Sequence, residues 1–233
     1  GVPIVVVAAS FQKDPQVLIA HKGAGNDTLP EMKGKPIMIS AESKNNFWQF
    51  LRARYGFTDN QIRPYNYSIQ PFLVNKQAIM QGYLTDEPFA IQIASGEKPR
   101  VILLADEGYE GYAQFIATTA KTIQTKPDLV QRFVDATMEG WQSYLHGDPT
   151  PAETAIRRDN PEMTEQLLKL ARAAIIEEGM VDSGDAKTLG LGAMTDHRWD
   201  DFYTMMAKEG VYPANLDYKK AYTLRFIDHK AKP

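Results

Sequence analysis

Apolar runs of strand length, broken by polar turns, dominate the first half of the chain; apolar stripes at helical spacing dominate the second. Residues 4–9 (IVVVAA) form an unbroken apolar run that ends in the polar loop 10–15, so they read as a buried strand. Residues 16–21 (QVLIAH) read as a second strand, and the glycine-rich stretch 22–27 as a loop or crossover. One short helical turn fits 28–34. Residues 36–40 run into a polar turn at Ser40–Ala41–Glu42–Ser43. Phe47, Trp48, Leu51 and Tyr55 then recur at helical spacing, and Gly56 supplies the stop for a helix over 44–55. A strand over 62–67 follows, which Pro64 assigns to a sheet edge or a bulge. Pro71 opens a predicted helix over 72–81 that ends at Gly82. Residues 83–85 read as a short strand, the stretch from Pro88 to Ser95 as a helix, and 100–105 as a strand. The alternation over 34–105 predicts a parallel α/β sheet.

Beyond this the pattern changes. Residues 106–111 are acidic and carry two glycines, a plausible hinge, and 112–119 read as a strand. The helix predicted over 127–145 places Val130, Phe133, Val134, Trp141, Tyr144 and Leu145 on one face. Thr150-Pro151-Ala152-Glu153 reads as a capping box with proline in the first turn. A helix over 161–178 carries Met163, Leu167, Leu170, Ala171 and Ala174 as its core stripe. Residues 188–194 form a loop, and a helix over 196–208 buries Trp199, Phe202, Tyr203 and Met206. A short helix near 216–222 precedes the apolar tail 224–227. A core strand within the first few residues is unusual, because chain termini tend to be loose. The expectation is a fragment from which preceding elements are missing.

Bulk properties narrow the function classes. The 233 residues suit one large or two small domains, and 43% hydrophobic with 24% charged residues is ordinary globular usage. The net charge is −3, the pI is near 5.9, and no block of like charge stands out, so no nucleic-acid surface is expected. No apolar run approaches about 18 residues, so no spanning helix is expected. There is no cysteine, which removes disulfides, thiolate metal sites and thiol catalysis together. His21, His146, His197 and His229 stand far apart and make no H-x-x-x-H pair; each reads as a surface or helix-end residue. The Gly190–Gly192 pair lacks a third glycine and does not follow a strand, so it is not read as a nucleotide site. No catalytic motif with recognisable spacing appears, and no metal or cofactor is expected.

What does stand out is polar and aromatic chemistry at strand ends. Ser40, Glu42, Ser43, Lys44 and Asn45 follow the strand over 36–40; Tyr67, Ser68 and Gln70 follow the next; Asp86 and Glu87 follow the third. A parallel sheet would gather them at one edge, where a strand–turn–helix junction also points unpaired N–H groups outward. Hydroxyls, an amide, carboxylates and tyrosine faces are the composition of a small-solute site. Competing structural roles are plain: Ser43 and Glu87 can serve as helix caps, and Tyr65 and Tyr67 can simply pack.

The ordered set FQKDPQVLIAHKG, LPEMKGKPIMIS, QAIMQGYLTDEPFAIQ, YAQFIATTAKTIQTKPDLVQRFVDATMEGW and GAMTDHRWDDFYTMMAKEGVYPANLDYKKAYTLRF resembles the solute-binding proteins of ABC importers. The branch is the one for thiamine-pyrimidine precursors, sulfonates, taurine and nitrate. The resemblance implies an α/β type II periplasmic binding protein: two α/β lobes joined by crossover hinge segments, with the ligand between them and the first lobe incomplete. Residues 1–22 and 112–233 would form lobe 1, and 23–111 the inserted lobe 2. Members of the family begin with about another βαβα segment of the first lobe. The turn after the lobe-2 strand often grips the polar head of the ligand, which assigns ligand contacts to Ser40, Glu42, Ser43, Lys44 and Asn45. Many sulfonate binders have a Gly-Ser-Thr type turn there. Glu42 stands in it here and disfavours an anion by like-charge repulsion, modestly, since Lys44 could neutralise it. Glu87 before Pro88 matches a glutamate of the family. Two carboxylates would suit an amino-bearing heterocycle such as an aminopyrimidine, stacked on a tyrosine; Tyr67, Phe11, Gln12 and Tyr112 complete the expected set. The implied role is solute capture without covalent chemistry. The implied partners are a small-molecule solute and a membrane permease, and the implied setting is the periplasm, or a lipid-anchored extracellular position in a single-membrane bacterium. The rivals are an enzyme like thiamine-pyrimidine synthase, whose associated cysteine-rich motif has no counterpart here, and the ligand-sensing domain of a regulator.

Overall fold

The computed structural model describes residues 3–227; His229 lies outside them. In chain order the strands are β1 (Ile4–Phe11), β2 (Gln16–Ala20), β3 (Ile37–Ile39), β4 (Ile62–Pro64), β5 (Ile79–Tyr83), β6 (Arg100–Leu103) and β7 (Ala113–Thr119). The helices are α1 (Leu29–Met32), α2 (Phe47–Tyr55), α3 (Gln70–Val74), α4 (Glu87–Ser95), α5 (Ala120–Thr125), α6 (Pro127–His146), α7 (Thr150–Asp159), α8 (Glu165–Glu177), α9 (Ala186–Leu189) and α10 (Asp196–Lys208). The chain splits into two units. Unit 1 holds Gly1–Asp14, Gly111–Thr204 and Asn215–Pro233; unit 2 holds Pro15–Glu110 and Met205–Ala214.

Unit 2 is built on a five-stranded sheet of order β4-β3-β5-β2-β6. Its strands are not all parallel, as the alternation predicted. β3 runs parallel to β4 and β5, but β2 runs antiparallel to both β5 and β6. β2, expected among residues 1–22 of the other lobe, is thus an inner strand of this sheet. Val17, Leu18, Ile19 and Ala20 are fully buried, which explains an apolar run without alternation. β4 sits at the edge, where Pro64 can be tolerated. The helix expected over 72–81 stops at Val74. The Asn75 side chain accepts the Gln77 N–H at 3.0 Å and the Asn75 carbonyl accepts the Ala78 N–H at 2.9 Å, so a side-chain-stabilised turn leads into β5.

The expected helix over 44–55 is interrupted. Ser43–Asn45 form one 3-10 turn, and α2 begins at Phe47 after Asn46, whose backbone (φ −123°, ψ −109°) is not helical. Gly56 closes α2 at φ 68°, with its N–H donating to the Arg52 carbonyl. Phe47, Trp48, Phe50 and Leu51 of α2 are fully buried, and the Trp48 indole N–H donates to Asp59 at 3.0 Å.

Unit 1 has a two-stranded antiparallel sheet in which Ile4 faces Thr119 and Phe11 faces Ala113. Its core joins Val7, Ala8 and Ala9 to Val130, Val134 and Met138 of α6, and to Met194, Tyr222 and Phe226. The α6 face differs from the predicted one. Val130, Val134, Met138 and Leu145 are its buried residues, while Phe133 is 60% exposed, about a quarter-turn off that stripe. α8 starts four residues later than predicted, because the Thr164 hydroxyl caps it by accepting the Leu167 N–H at 3.2 Å. Thr150 lies inside α7 rather than capping it, with its N–H donating to Asp148 at 2.9 Å. α5 was not legible beforehand, and α10 occupies the predicted residues. Among the described residues no helix is long and apolar enough to cross a membrane.

Candidate functional site

β3, β4 and β5 are mutually parallel, so their carboxyl ends lie on the same edge of the unit 2 sheet. Ser40 follows β3, Tyr65 and Tyr67 follow β4, and Glu87 opens the helix after β5. The side chains meet there. Ser40 is anchored by its backbone N–H, which donates to Gln81 Oε1 at 2.8 Å. Its hydroxyl donates to Ser43 Oγ at 3.0 Å and accepts the Ser43 N–H at 3.3 Å. Both serines are buried and hold the turn on which exposed Glu42 stands.

The two carboxylates are each tied to a tyrosine. Tyr67 donates its hydroxyl to Glu42 Oε2 at 3.1 Å, and Tyr65 donates to Glu87 Oε1 at 2.8 Å. The two rings lie 5.3 Å apart, so Glu42, Tyr67, Tyr65 and Glu87 form a continuous line. Glu87 is buried; its Oε2 accepts the Tyr83 N–H at 2.7 Å, and its place at the start of α4 suits a negative charge. Tyr67 is the opposite case. The residue is 69% exposed and its backbone sits at φ 57°, the left-handed region that costs a bulky residue free energy.

Electrostatics follow the geometry. The Tyr65 phenol is pushed far up, first by burial and then by the Glu87 carboxylate. Glu42 is held below its ordinary value by its own backbone N–H, then by Tyr67 and Ser40. Burial, with Glu87 second, raises Asp86. Lys44 pairs at 3.8 Å with Asp59 rather than with Glu42. Asn45 enters through its backbone N–H, which closes the turn on the Glu42 carbonyl at 3.2 Å. The edge thus offers hydrogen-bond acceptors and negative charge beside an exposed aromatic face.

Gly82 is what seats Glu87. A Cβ there would stand 2.7 Å from Ile19 Cδ1, 3.0 Å from Glu87 Oε2 and 3.1 Å from Glu87 Cβ. Gly82→Ala is expected to cost about 1–3 kcal/mol of unfolding free energy and to displace the carboxylate. Chemical denaturation checks the first effect, and loss of solute binding checks the second.

Phe11, Gln12 and Tyr112 belong to unit 1. Phe11 is buried with its ring edge-on to Trp141 at 5.4 Å. The buried Gln12 donates its amide to the Ala193 carbonyl at 2.8 Å, and its own carbonyl accepts from the Arg198 guanidinium. Tyr112 donates its hydroxyl to Asp185 and accepts the Thr195 N–H at 3.0 Å. Burial and then Asp185 push its phenol up to about 12. The Arg198 guanidinium lies 4.3 Å over the Tyr112 ring. Asp185, Thr195 and Arg198 were not singled out from the sequence. Tyr65 reads from the sequence as a packing residue; its hydrogen bond to Glu87 places it in the line, and its spacing of two residues from Tyr67 at a strand end was the available signal. At the other end of the unit 2 sheet, a depression of about 600 Å³ is lined by His21, Lys22, Lys76, Glu97 and Lys98, a basic lining unlike the acidic edge. Among the described residues, no three His, Cys, Asp or Glu side chains are placed to hold a metal ion.

A family model described as NMT1/THI5 like matches residues 1–152, well over half of the chain. The riboflavin-binding protein RibY of Chloroflexus aurantiacus is 24% identical over 97% of this chain. The chain spans 66% of that relative's length. Among solved structures, one from Bordetella bronchiseptica superposes with a TM-score of 0.67 at 16% identity, over 96% of this chain and 73% of the other. The alkanesulfonate-binding protein SsuA of Xanthomonas axonopodis pv. citri, bound to MOPS, gives 0.61 at 12% identity, over 95% and 74%. These likenesses show the fold of periplasmic binding proteins.

Proposed function

The chain belongs to the NMT1/THI5-like family, and we propose that it is the solute-binding component of an ABC importer, taking a small, flat, amino-bearing heterocycle such as an aminopyrimidine. The observation that carries this is the line Glu42–Tyr67–Tyr65–Glu87 on one sheet edge of unit 2. The carboxylates accept N–H donors of the solute, and the open Tyr67 face stacks on its ring. An anionic head group meets like charge from both glutamates, so a sulfonate or nitrate is the weaker fit. The name of the riboflavin-binding relative supports the same chemistry, since riboflavin is itself a flat heterocycle with a ring N–H. The partner is a membrane permease and the site of action is periplasmic, or lipid-anchored outside a single-membrane cell. The protein binds its solute and does not transform it.

Calorimetry against aminopyrimidines, riboflavin, alkanesulfonates and nitrate tests the reading. Binding of the heterocycles alone is the expected result; tight binding confined to the anions defeats it. Appearance of a pyridoxal Schiff-base absorbance in the purified protein would favour the enzyme instead.

A pH dependence follows from Glu42. Its pKa in the folded protein lies below the ordinary 4.5, so its charge is complete above that value and is lost only as pH falls through the lower one. For a solute that does not itself titrate in this range, its contribution to affinity stays flat from neutral pH down to about 5 and declines below 4.5. Titrations across that range check it against a Glu42→Gln variant, whose profile should lack this decline.

A further inference from the structure

β2 runs antiparallel to β5 and β6, with Ala20 opposite both Ile79 and Arg100. The carboxyl end of β2 and the amino ends of β5 and β6 therefore meet at one end of the unit 2 sheet. Lys22 lies just past β2, Lys76 just before β5 and Lys98 just before β6. Strand pairing thus brings three lysines from distant parts of the chain to the rim of one depression of about 600 Å³, within the usual size of small-molecule pockets. Glu97 is the one carboxylate among the residues that line it, and it pairs with Lys76 at 3.6 Å. Among the described residues no carboxylate pairs with Lys22 or Lys98. Just outside the lining, Asp27 accepts the Gly23 N–H at 3.4 Å and Arg100 donates to the Asp27 carbonyl at 2.8 Å, so a carboxylate and a guanidinium flank the loop together. The chain as a whole carries a net charge of −3, so this depression is a local reversal of sign. Like charges gathered at one place repel, and a bound anion relieves that repulsion.

The rest of the lining suits an organic body. The His21 ring stacks on Phe72 with centroids 4.1 Å apart, and its Nε2 bonds the Phe72 carbonyl at 2.9 Å, so the ring is held in place. Ile91 and Pro99, both buried, add apolar surface. We propose that this depression is a second binding site, for a small organic molecule bearing a phosphate monoester, at the opposite end of the sheet from the acidic edge. A phosphate monoester carries about 1.5–2 negative charges at pH 7, which matches the two lysines outside the Lys76–Glu97 pair; ammonium groups hold it as point charges. The volume exceeds what the phosphate fills, and the organic body lies against His21, Ile91 and Pro99. This inference does not depend on the identity of the solute at the acidic edge.

Calorimetry at low ionic strength with inorganic phosphate, glucose 6-phosphate, glucose and vesicles containing phosphatidic acid tests it. The two soluble phosphates are expected to bind and glucose is not. A Lys22→Gln/Lys98→Gln variant should bind glucose 6-phosphate roughly 2- to 30-fold more weakly, the range that two exposed ion pairs imply. Lys121→Gln/Lys187→Gln removes the same charge from exposed positions of unit 1 and should leave the affinity unchanged. Failure of both soluble phosphates to bind would overturn the proposal. Equal losses in the two double variants would overturn it as well, since overall charge would then be the cause, and so would binding confined to the vesicles.

Discussion

Replacing Glu87 with alanine is expected to remove about 3 kcal/mol of unfolding free energy and to abolish solute binding. The carboxylate is buried and accepts two hydrogen bonds, from the Tyr65 hydroxyl at 2.8 Å and the Tyr83 N–H at 2.7 Å. Bonds to an ionised acceptor contribute roughly 1.5–3 kcal/mol each, and a buried donor left without its acceptor adds its own desolvation cost. The Tyr65 hydroxyl bond is buried, whereas the Tyr83 N–H bond is part-buried, so water replaces the lost acceptor more readily at Tyr83. The greater part of the loss therefore comes from Tyr65. A Tyr65→Phe/Glu87→Ala double variant should lose less than the sum of the two single variants. Glu87→Gln keeps an acceptor and should cost about 1 kcal/mol, yet still bind more weakly because the charge is gone. Urea unfolding and calorimetry measure both quantities. A Glu87→Ala protein as stable as the parent, or binding equally well, would remove the basis for the proposed site.

At Tyr67 the two effects should part company. Tyr67→Asn is expected to weaken binding of a flat heterocycle by roughly 5- to 150-fold, the range that stacking of about 1–3 kcal/mol implies, while stability stays level or rises. The residue is largely in solvent and its hydroxyl meets an exposed carboxylate, so little packing is lost. Its φ of 57° lies in a region that asparagine enters more readily than tyrosine, so strain of about 1 kcal/mol is relieved. Tyr67→Phe separates the ring from the hydroxyl and should keep most of the affinity. A Tyr67→Asn protein that melts well below the parent and binds normally would identify the residue as a structural prop instead.

Much of this arrangement was legible in the sequence. The edge β4 follows from Pro64, the end of α2 from Gly56, and the clustering of strand-end polar residues from the parallel strands around β3. What escaped depends on contacts distant in sequence. Gly82 looked like a helix stop because glycine usually serves as one; it is instead a strand residue whose missing side chain makes room for Glu87. β2 gave the right element but the wrong unit, because an apolar run does not say which sheet receives it. Phe133 fitted the helical stripe by spacing, yet stands a quarter-turn from the buried residues. Arg198 and Asp185 carry no local signal, since their meaning arises only where they meet Tyr112 and Gln12.

The indoles are distributed unevenly. Trp48 lies buried in unit 2, while Trp141 and Trp199 belong to unit 1. A protein with phenylalanine at both unit 1 positions would carry one tryptophan, beside Phe57 and Asp59 and excited selectively over the tyrosines. Its emission would follow the melting of unit 2 by itself, so the two halves of the polypeptide need not be physically separated for their cooperativity to be compared.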